Sequence, residues 1–141
     1  MTETDAPWSL DSNIFLYAID SSDLRKKNIA LRLWEQSALA KNVLPTQVLG
    51  EVFRAARSRF GLNGFAALAL TSELSDYHRV VPATPSTFEQ AMSESAQTNR
   101  QFWDCLIIAT CAEHGVKTLY TEDTAGQPHT VMGVKLVNPF I

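Results

Sequence analysis

Cysteine is scarce in this chain. Cys105 and Cys111 are the only two, and they fall on one predicted helix at a spacing that cannot reach disulfide geometry. Their expected role is that of small buried apolar residues. Histidine is nearly as rare: His78, His114 and His129 belong to three different elements with no zinc-ligand spacing among them, which argues against a zinc site. No low-complexity tract occurs, and no apolar run is long enough to span a bilayer. The start, MTETDAPW, is acidic and polar rather than basic and then apolar, so no secretory signal is read there and a cytoplasmic protein with no membrane partner is expected. Positive charge is also in short supply. Lys and Arg number 12 against 15 Asp and Glu, a formal net charge of −3, which argues against a protein that coats nucleic acid through bulk charge. A local acidic site is compatible with that balance. If four carboxylates are set aside, 12 basic side chains face 11 acidic ones (15 − 4), so the remaining surface is near +1.

What the chain does have is an ordinary globular composition, 45% hydrophobic and 19% charged over 141 residues, enough for one domain with a core that needs no staple. Its most informative stretch is FWDCLIIATCAEHGVKTLYTED, residues 102–123. Between Trp103 and Ala112 nearly every position is apolar, so a helix there has no solvent face and must be buried. Asp104 is the single charge in that run. Gly115 stops the helix, and residues 117–121 read as a strand that delivers Glu122 and Asp123 to its carboxyl end. A carboxylate in such a place is costly unless hydrogen-bonded, paired or metal-bound.

The remaining chain alternates. Residues 8–10 form a short strand ending at Asp11, and residues 13–19 a short helix, for which Asp11 is either the N-cap or a site residue. Residues 22–40 form a second helix whose apolar positions, Ile29, Ala30, Leu31, Leu33, Trp34 and Ala38, span more than one core stripe. That face meets either a partner chain or a second layer of the same domain. A strand at 42–45 leads into a helix opened by Thr46 or Gln47 and ended by Gly61. Within it, Glu51 is either a rim residue paired with Arg54 at i,i+3 or a contributor to a site. Asn63 caps a further helix, residues 77–81 form a strand stopped by Pro82, and Ser86 with Glu89 reads as a capping box opening a helix that runs to Thr98. After Asp123 the segment 124–130 reads as a loop, 134–137 as a last strand. This order implies an α/β domain over residues 1–141 with a parallel sheet, helices on both faces, and function at the carboxyl ends of the strands. Asp11, Glu51, Asp104 and Asp123 can all converge there.

The segments LDSNIFLYAID, TQVLGEVFRAARSR, FWDCLIIATCAEHG, LYTED and GVKLVNPF resemble, in order and across almost the whole chain, the PIN-domain ribonucleases, specifically the VapC-type toxins of bacterial and archaeal toxin-antitoxin pairs. The resemblance implies a PIN-like fold with a central, mostly parallel sheet of four to five strands. It maps the family's acidic site onto Asp11, Glu51, Asp104 and Asp123, with Asn13 and Thr121 as supporting polar groups. It further implies metal-dependent endonucleolytic hydrolysis of RNA, a cognate antitoxin partner and a homodimer. The segment TAGQPHT departs from the family's usual QxGQ loop by its proline and histidine.

The residue types suit that chemistry on their own. Clustered carboxylates are hard oxygen donors that repel one another and therefore want a cation, Mg²⁺ or Mn²⁺ rather than a thiophilic metal. Asp11, Asp104 and Asp123 are the expected ligands, and Glu51, at the rim, the expected orienter of water. Arg54, Arg57 and Arg100 are candidates for phosphate contact. Two rivals differ in class. A receiver-type signalling domain also has an acidic Mg²⁺ pocket, but it wants adjacent acids after its first strand and a Lys ending its last; here Asp11 is followed by Ser12, and Lys117 precedes a strand. The other is a catalytically silent PIN fold that only binds RNA or protein, a reading the presence of all four acids disfavours.

Overall fold

The computed structural model describes residues 6–124 and 129–141. Within them the order is β1 (Trp8–Leu10), α1 (Ser12–Ala18), α2 (Leu24–Leu39), β2 (Val43–Pro45), α3 (Thr46–Ser58), α4 (Gly64–Tyr77), β3 (Arg79–Val81), α5 (Pro85–Thr98), α6 (Phe102–Glu113), β4 (Thr118–Tyr120), β5 (His129–Val131) and β6 (Val134–Val137). The central sheet runs β1-β4-β6-β5. β4 pairs in parallel with β1 and β6, and β5 closes the edge antiparallel to β6. The expected α/β fold with a four-stranded, mostly parallel sheet is what forms.

Its membership differs from expectation in two ways. β2 and β3 make a separate parallel ribbon, joined to β1 by a side chain, the Ser9 hydroxyl donating to the Val43 carbonyl at 2.6 Å, in place of a backbone ladder. β5, part of which lies in the segment read as a loop, is a strand because Met132 and Gly133 both adopt positive φ (50° and 79°). That is the backbone of a two-residue hairpin turn, whose twist matches the strands it joins. Residues 125–128 of the TAGQPHT segment lie outside the described residues.

Local chemistry explains the helix limits. The Asn63 side chain accepts from the Ala66 N–H and opens α4 as expected. α5 opens two residues earlier than expected: Thr84 is its cap, boxed with Thr87, and Pro85 occupies the first helical position, where its missing N–H costs nothing. Asn99, at φ 60°, ends α5, and Gly115, at φ 77°, follows α6. α6 is buried from Cys105 through Cys111, a shorter run than the expected Trp103 to Ala112 because Trp103 in the first turn is exposed, and it packs on α5, β2 and β6. Thr110 in that run is satisfied internally, its hydroxyl donating to the Leu106 carbonyl at 2.8 Å. Both cysteines are free and buried, and burial pushes the Cys111 thiol up to about 12, so it stays protonated. The core joins Leu10, Ile14, Phe15, Leu44, Val48, Leu74, Ile107, Leu119 and Leu136, so α1, α3 and α6 are held on the strands that carry the acids. α2 faces two ways. Trp34 stacks edge-on against Phe15 with centroids 5.4 Å apart, while Leu31 and Leu39 stay exposed.

Candidate active site

Asp11 is the first residue beyond β1. Its N–H donates to the Tyr120 carbonyl at 3.0 Å, extending the β1–β4 pairing by one step. Its extended backbone then makes it the N-cap of α1, and Oδ1 accepts from the Ser12 N–H at 2.7 Å. The other oxygen, Oδ2, accepts from the Thr121 hydroxyl at 2.9 Å. Asp11 is therefore the N-cap that the sequence offered as one alternative, and its second oxygen faces β4. Burial pushes the Asp11 carboxyl up to about 7; the Thr121 and Ser12 hydrogen bonds oppose the rise, and the charges of Glu51 and Asp104 add to it.

Thr121 is the junction of this half of the site. Besides donating to Asp11, its hydroxyl oxygen accepts from the Asp123 N–H at 3.1 Å and from Asn13 Nδ2 at 3.3 Å. Asn13 Nδ2 also reaches Asp123 Oδ2 at 3.4 Å, and its Oδ1 accepts from the Glu122 N–H at 3.3 Å. The supporting residues expected from the sequence, Asn13 and Thr121, thus knit the end of β4 to the start of α1. Glu122 turns elsewhere. Its oxygens accept from the Tyr17 hydroxyl and from Lys26 Nζ, both at 2.6 Å. Burial works against the Glu122 charge, but Lys26 and Tyr17 outweigh it and hold the carboxyl below its ordinary range.

Glu51 reaches the site from α3. Oε1 accepts from the Ser12 hydroxyl at 2.9 Å and Oε2 from Gln47 Nε2 at 3.3 Å. The pairing with Arg54 expected from i,i+3 spacing does not form; Lys26–Glu122 is the ion pair found among the described residues. Neighbouring hydroxyl and amide donors are closer than a solvated guanidinium and cost less side-chain freedom to engage. Asp104, in the first turn of α6, is half-buried. Its proton affinity is raised by burial first, then by the charges of Asp123 and Glu51, with Arg100 opposing. Asp11 senses Glu51 and Asp104, and Asp104 senses Asp123 and Glu51. All four acids therefore share one electrostatic neighbourhood at the carboxyl ends of β1 and β4.

The donors fit a hard divalent cation in kind and in charge: oxygen ligands only, mutually repelling, two of them with proton affinity raised by burial first and by their acidic neighbours second. As positioned, they do not form a closed cage. Among the described residues no group of three or more His, Cys, Asp or Glu side chains stands at metal-holding distances.

The three arginine candidates separate. Arg54 lines a groove with Glu51. Arg57 lies by the start of α4, its Cζ 3.8 Å from where a Cβ on Gly64 would be. Arg100 hydrogen-bonds His129 and lowers the proton affinity of Asp104. Sequence reading missed Ser12 and Gln47, the partners of Glu51. Ser12 was within sight as the neighbour of Asp11, but its tie to α3 crosses 39 positions, which no local spacing reveals.

The PIN domain family model matches residues 9–129. No curated protein sequence matches the chain significantly. Among solved structures, the chain is similar to VapC20 of Mycobacterium tuberculosis, a Sarcin-Ricin loop cleaving toxin, at 25% identity and TM-score 0.66 over 84% of this chain and 95% of that one. A toxin-antitoxin complex from Klebsiella pneumoniae matches at 20% identity and TM-score 0.59, covering 93% and 96%. DNA-bound VapBC from Salmonella typhimurium matches at 14% identity and TM-score 0.65, covering 95% and 98%; at these two identities the likeness is one of fold. Among the described residues no helix is long and apolar enough to cross a membrane.

Proposed function

Because the chain belongs to the PIN domain family, we propose that it is a metal-dependent endoribonuclease, the VapC-type toxin of a toxin-antitoxin pair. The observation that carries the reading is the shared field of four carboxylates at one end of the sheet. Asp11, Asp104 and Asp123 would hold Mg²⁺ or Mn²⁺, and Glu51, tethered by Ser12 and Gln47, would orient water. A bound divalent cation would supply Lewis-acid charge at the scissile phosphate and acidify water. The chain's own part is placement. Thr121 and Asn13 fix Asp11 and Asp123 relative to each other, and Arg54 and Arg100 would offer cations to phosphates. Purified protein should cleave RNA with Mg²⁺ or Mn²⁺ and lose that activity in EDTA; cleavage undiminished by chelator removes the metal mechanism.

The antitoxin reading draws on the toxin-antitoxin complexes among the similar folds. Its seat on this chain would be the apolar groove between α2 and α4, lined by Leu31, Trp34, Ala38, Leu39 and Tyr77. Leu39 is 80% exposed, so Leu39→Glu should leave the fold and RNA cleavage intact while weakening a co-expressed antitoxin's hold at least tenfold. Unchanged antitoxin affinity would place the seat elsewhere. A homodimer is part of the same reading, checked by light scattering of the free toxin.

A further inference from the structure

One face of α3 carries Gln47, Gly50, Glu51 and Arg54, the i, i+3, i+4, i+7 spacing of a single helical stripe. Opposite it lie Gln101 and Trp103, at the start of α6, and the space between is an open groove of about 500 Å³. Glu51 belongs both to this groove and to the acidic site, and Asp104 directly follows Trp103. The groove is therefore continuous with the proposed point of cleavage.

Two of its residues have no explanation inside the chain. α6 is buried from Cys105 to Cys111, yet Trp103 in its first turn is 53% exposed. That residue is also held in place: its carbonyl accepts from Gln47 Nε2 at 2.9 Å, and its ring meets Phe102 edge-on at 4.9 Å. An exposed indole on a rigid mount gives up its own burial and presents an aromatic surface to something else. Gly50 is the second. A glycine in a helix interior weakens the helix relative to alanine, and here neither packing nor backbone asks for it: a Cβ would meet nothing within 4 Å, and its φ is not positive. A glycine with no internal reason, on the floor of a groove, is what close approach by an outside molecule demands.

We propose that this groove seats the unpaired RNA strand beside the cleavage point, with one nucleobase stacked on the Trp103 indole above Gly50 and a flanking phosphate against Arg54. The inference rests on the ribonuclease reading and names where that substrate lies. The lining decides between RNA and protein. Gln47, Gln101, Glu51 and Arg54 surround a single aromatic, a mixture suited to base edges and phosphates, whereas the groove of Leu31, Leu39 and Tyr77 is mainly apolar. Gln47 spends its amide hydrogens on Trp103 and Glu51, which ties the two walls of the groove together. Stacking needs an unstacked base, which single strands and loops provide and A-form duplex does not.

The test is fluorescence anisotropy of the whole protein with a labelled single-stranded RNA, in EDTA so that no cleavage occurs, alongside a duplex of the same sequence. Trp103→Ala should weaken single-strand binding by roughly tenfold to a hundredfold, with Trp103→Phe recovering most of the loss. Gly50→Leu should block the groove and weaken binding comparably, and Gly50→Ala, which puts a single Cβ where the base is proposed to lie, should weaken it by a smaller factor while melting at a higher temperature. If Trp103→Ala failed to fold, Gly50→Leu would still decide, because its side chain meets open space. Wild-type affinity in both Trp103→Ala and Gly50→Leu, in a protein that does cleave RNA with metal, overturns the groove and leaves the ribonuclease reading standing. So does a Trp103→Ala protein that goes from dimer to monomer at unchanged affinity per chain, since a second copy would then cover the indole. Wild-type protein that neither binds nor cleaves RNA overturns both.

Discussion

The two halves of the acidic site are built on opposite plans. At β1, α1 and β4 the acids are locked: Asp11 is buried with partners on both oxygens, and Thr121 and Asn13 bind Asp123 into the same network. At α3 and α6 they are loose. Glu51 takes one hydroxyl and one long amide contact, and half-buried Asp104 is balanced only by the more distant charge of Arg100. The first half is satisfied by the protein's own hydrogen bonds. The second borders an open groove and leaves its charge for something else to meet. Under the proposed ribonuclease reading, a site that admits a phosphodiester while holding its carboxylates in place gains from this division, because rigidity and access are supplied by different elements.

The largest effect that separates the halves is a dependence on pH. Folding holds the Asp11 carboxyl at about 7 against an ordinary 3.8, so the folded state binds its proton more tightly than the unfolded chain. The stability associated with this group is therefore full below about pH 4 and is lost as pH rises through about 7. In chelator, wild type should lose a few kcal/mol of stability over that window, on the order of the three-unit shift. Asp11→Asn, whose Oδ1 still accepts from Ser12, should flatten the curve and be the more stable protein at pH 8. Denaturant melts at several pH values check this, and parallel curves for the two proteins would contradict the buried, proton-holding Asp11.

A smaller change tests the locked half through its junction. Thr121→Val removes the hydroxyl that donates to Asp11 and accepts from Asn13 and the Asp123 N–H. Leaving a buried acceptor unpaired costs about 1–3 kcal/mol, and loosening the support of a ligand typically costs about tenfold to a hundredfold in activity or metal affinity. Both losses should appear together in urea melts and in RNA cleavage. A variant that lost stability alone would make Thr121 scaffold only.

Much of this was legible in the sequence, for reasons that can be traced to particular residues. Asp104 stood out as one charge in an apolar helix, Gly115 marked that helix's end, and Asp11 and Asp123 follow strands whose order brings parallel carboxyl ends together. What stayed hidden depended on contacts or turns with no local signature. Glu51 pairs with Ser12 of another helix rather than with Arg54 one turn away. β5 depends on a Met132-Gly133 hairpin whose first residue carries no turn signal, and β2 and β3 leave the main sheet because a Ser9 side chain, not a ladder, spans the gap. The α5 cap fell to Thr84 because proline at the next position outranks a Ser86–Glu89 box. The exposure of Trp103 against the burial of Cys105 through Cys111 is a tertiary outcome that no periodicity within α6 encodes.

The central claim, that the four acids form a cation site rather than an acidic cap and rim, is tested most directly by thermal melts of wild type and Asp104→Asn in EDTA and across an Mn²⁺ titration. In EDTA, Asp104→Asn should be neutral or stabilising, because it removes a charge that Asp123 and Glu51 repel. With Mn²⁺, wild type should gain stability as RT ln(1 + [L]/Kd), and Asp104→Asn should gain far less. A mutant less stable than wild type in EDTA that responds to Mn²⁺ just as wild type does would make Asp104 a structural helix-start carboxylate and would contradict the four-carboxylate site.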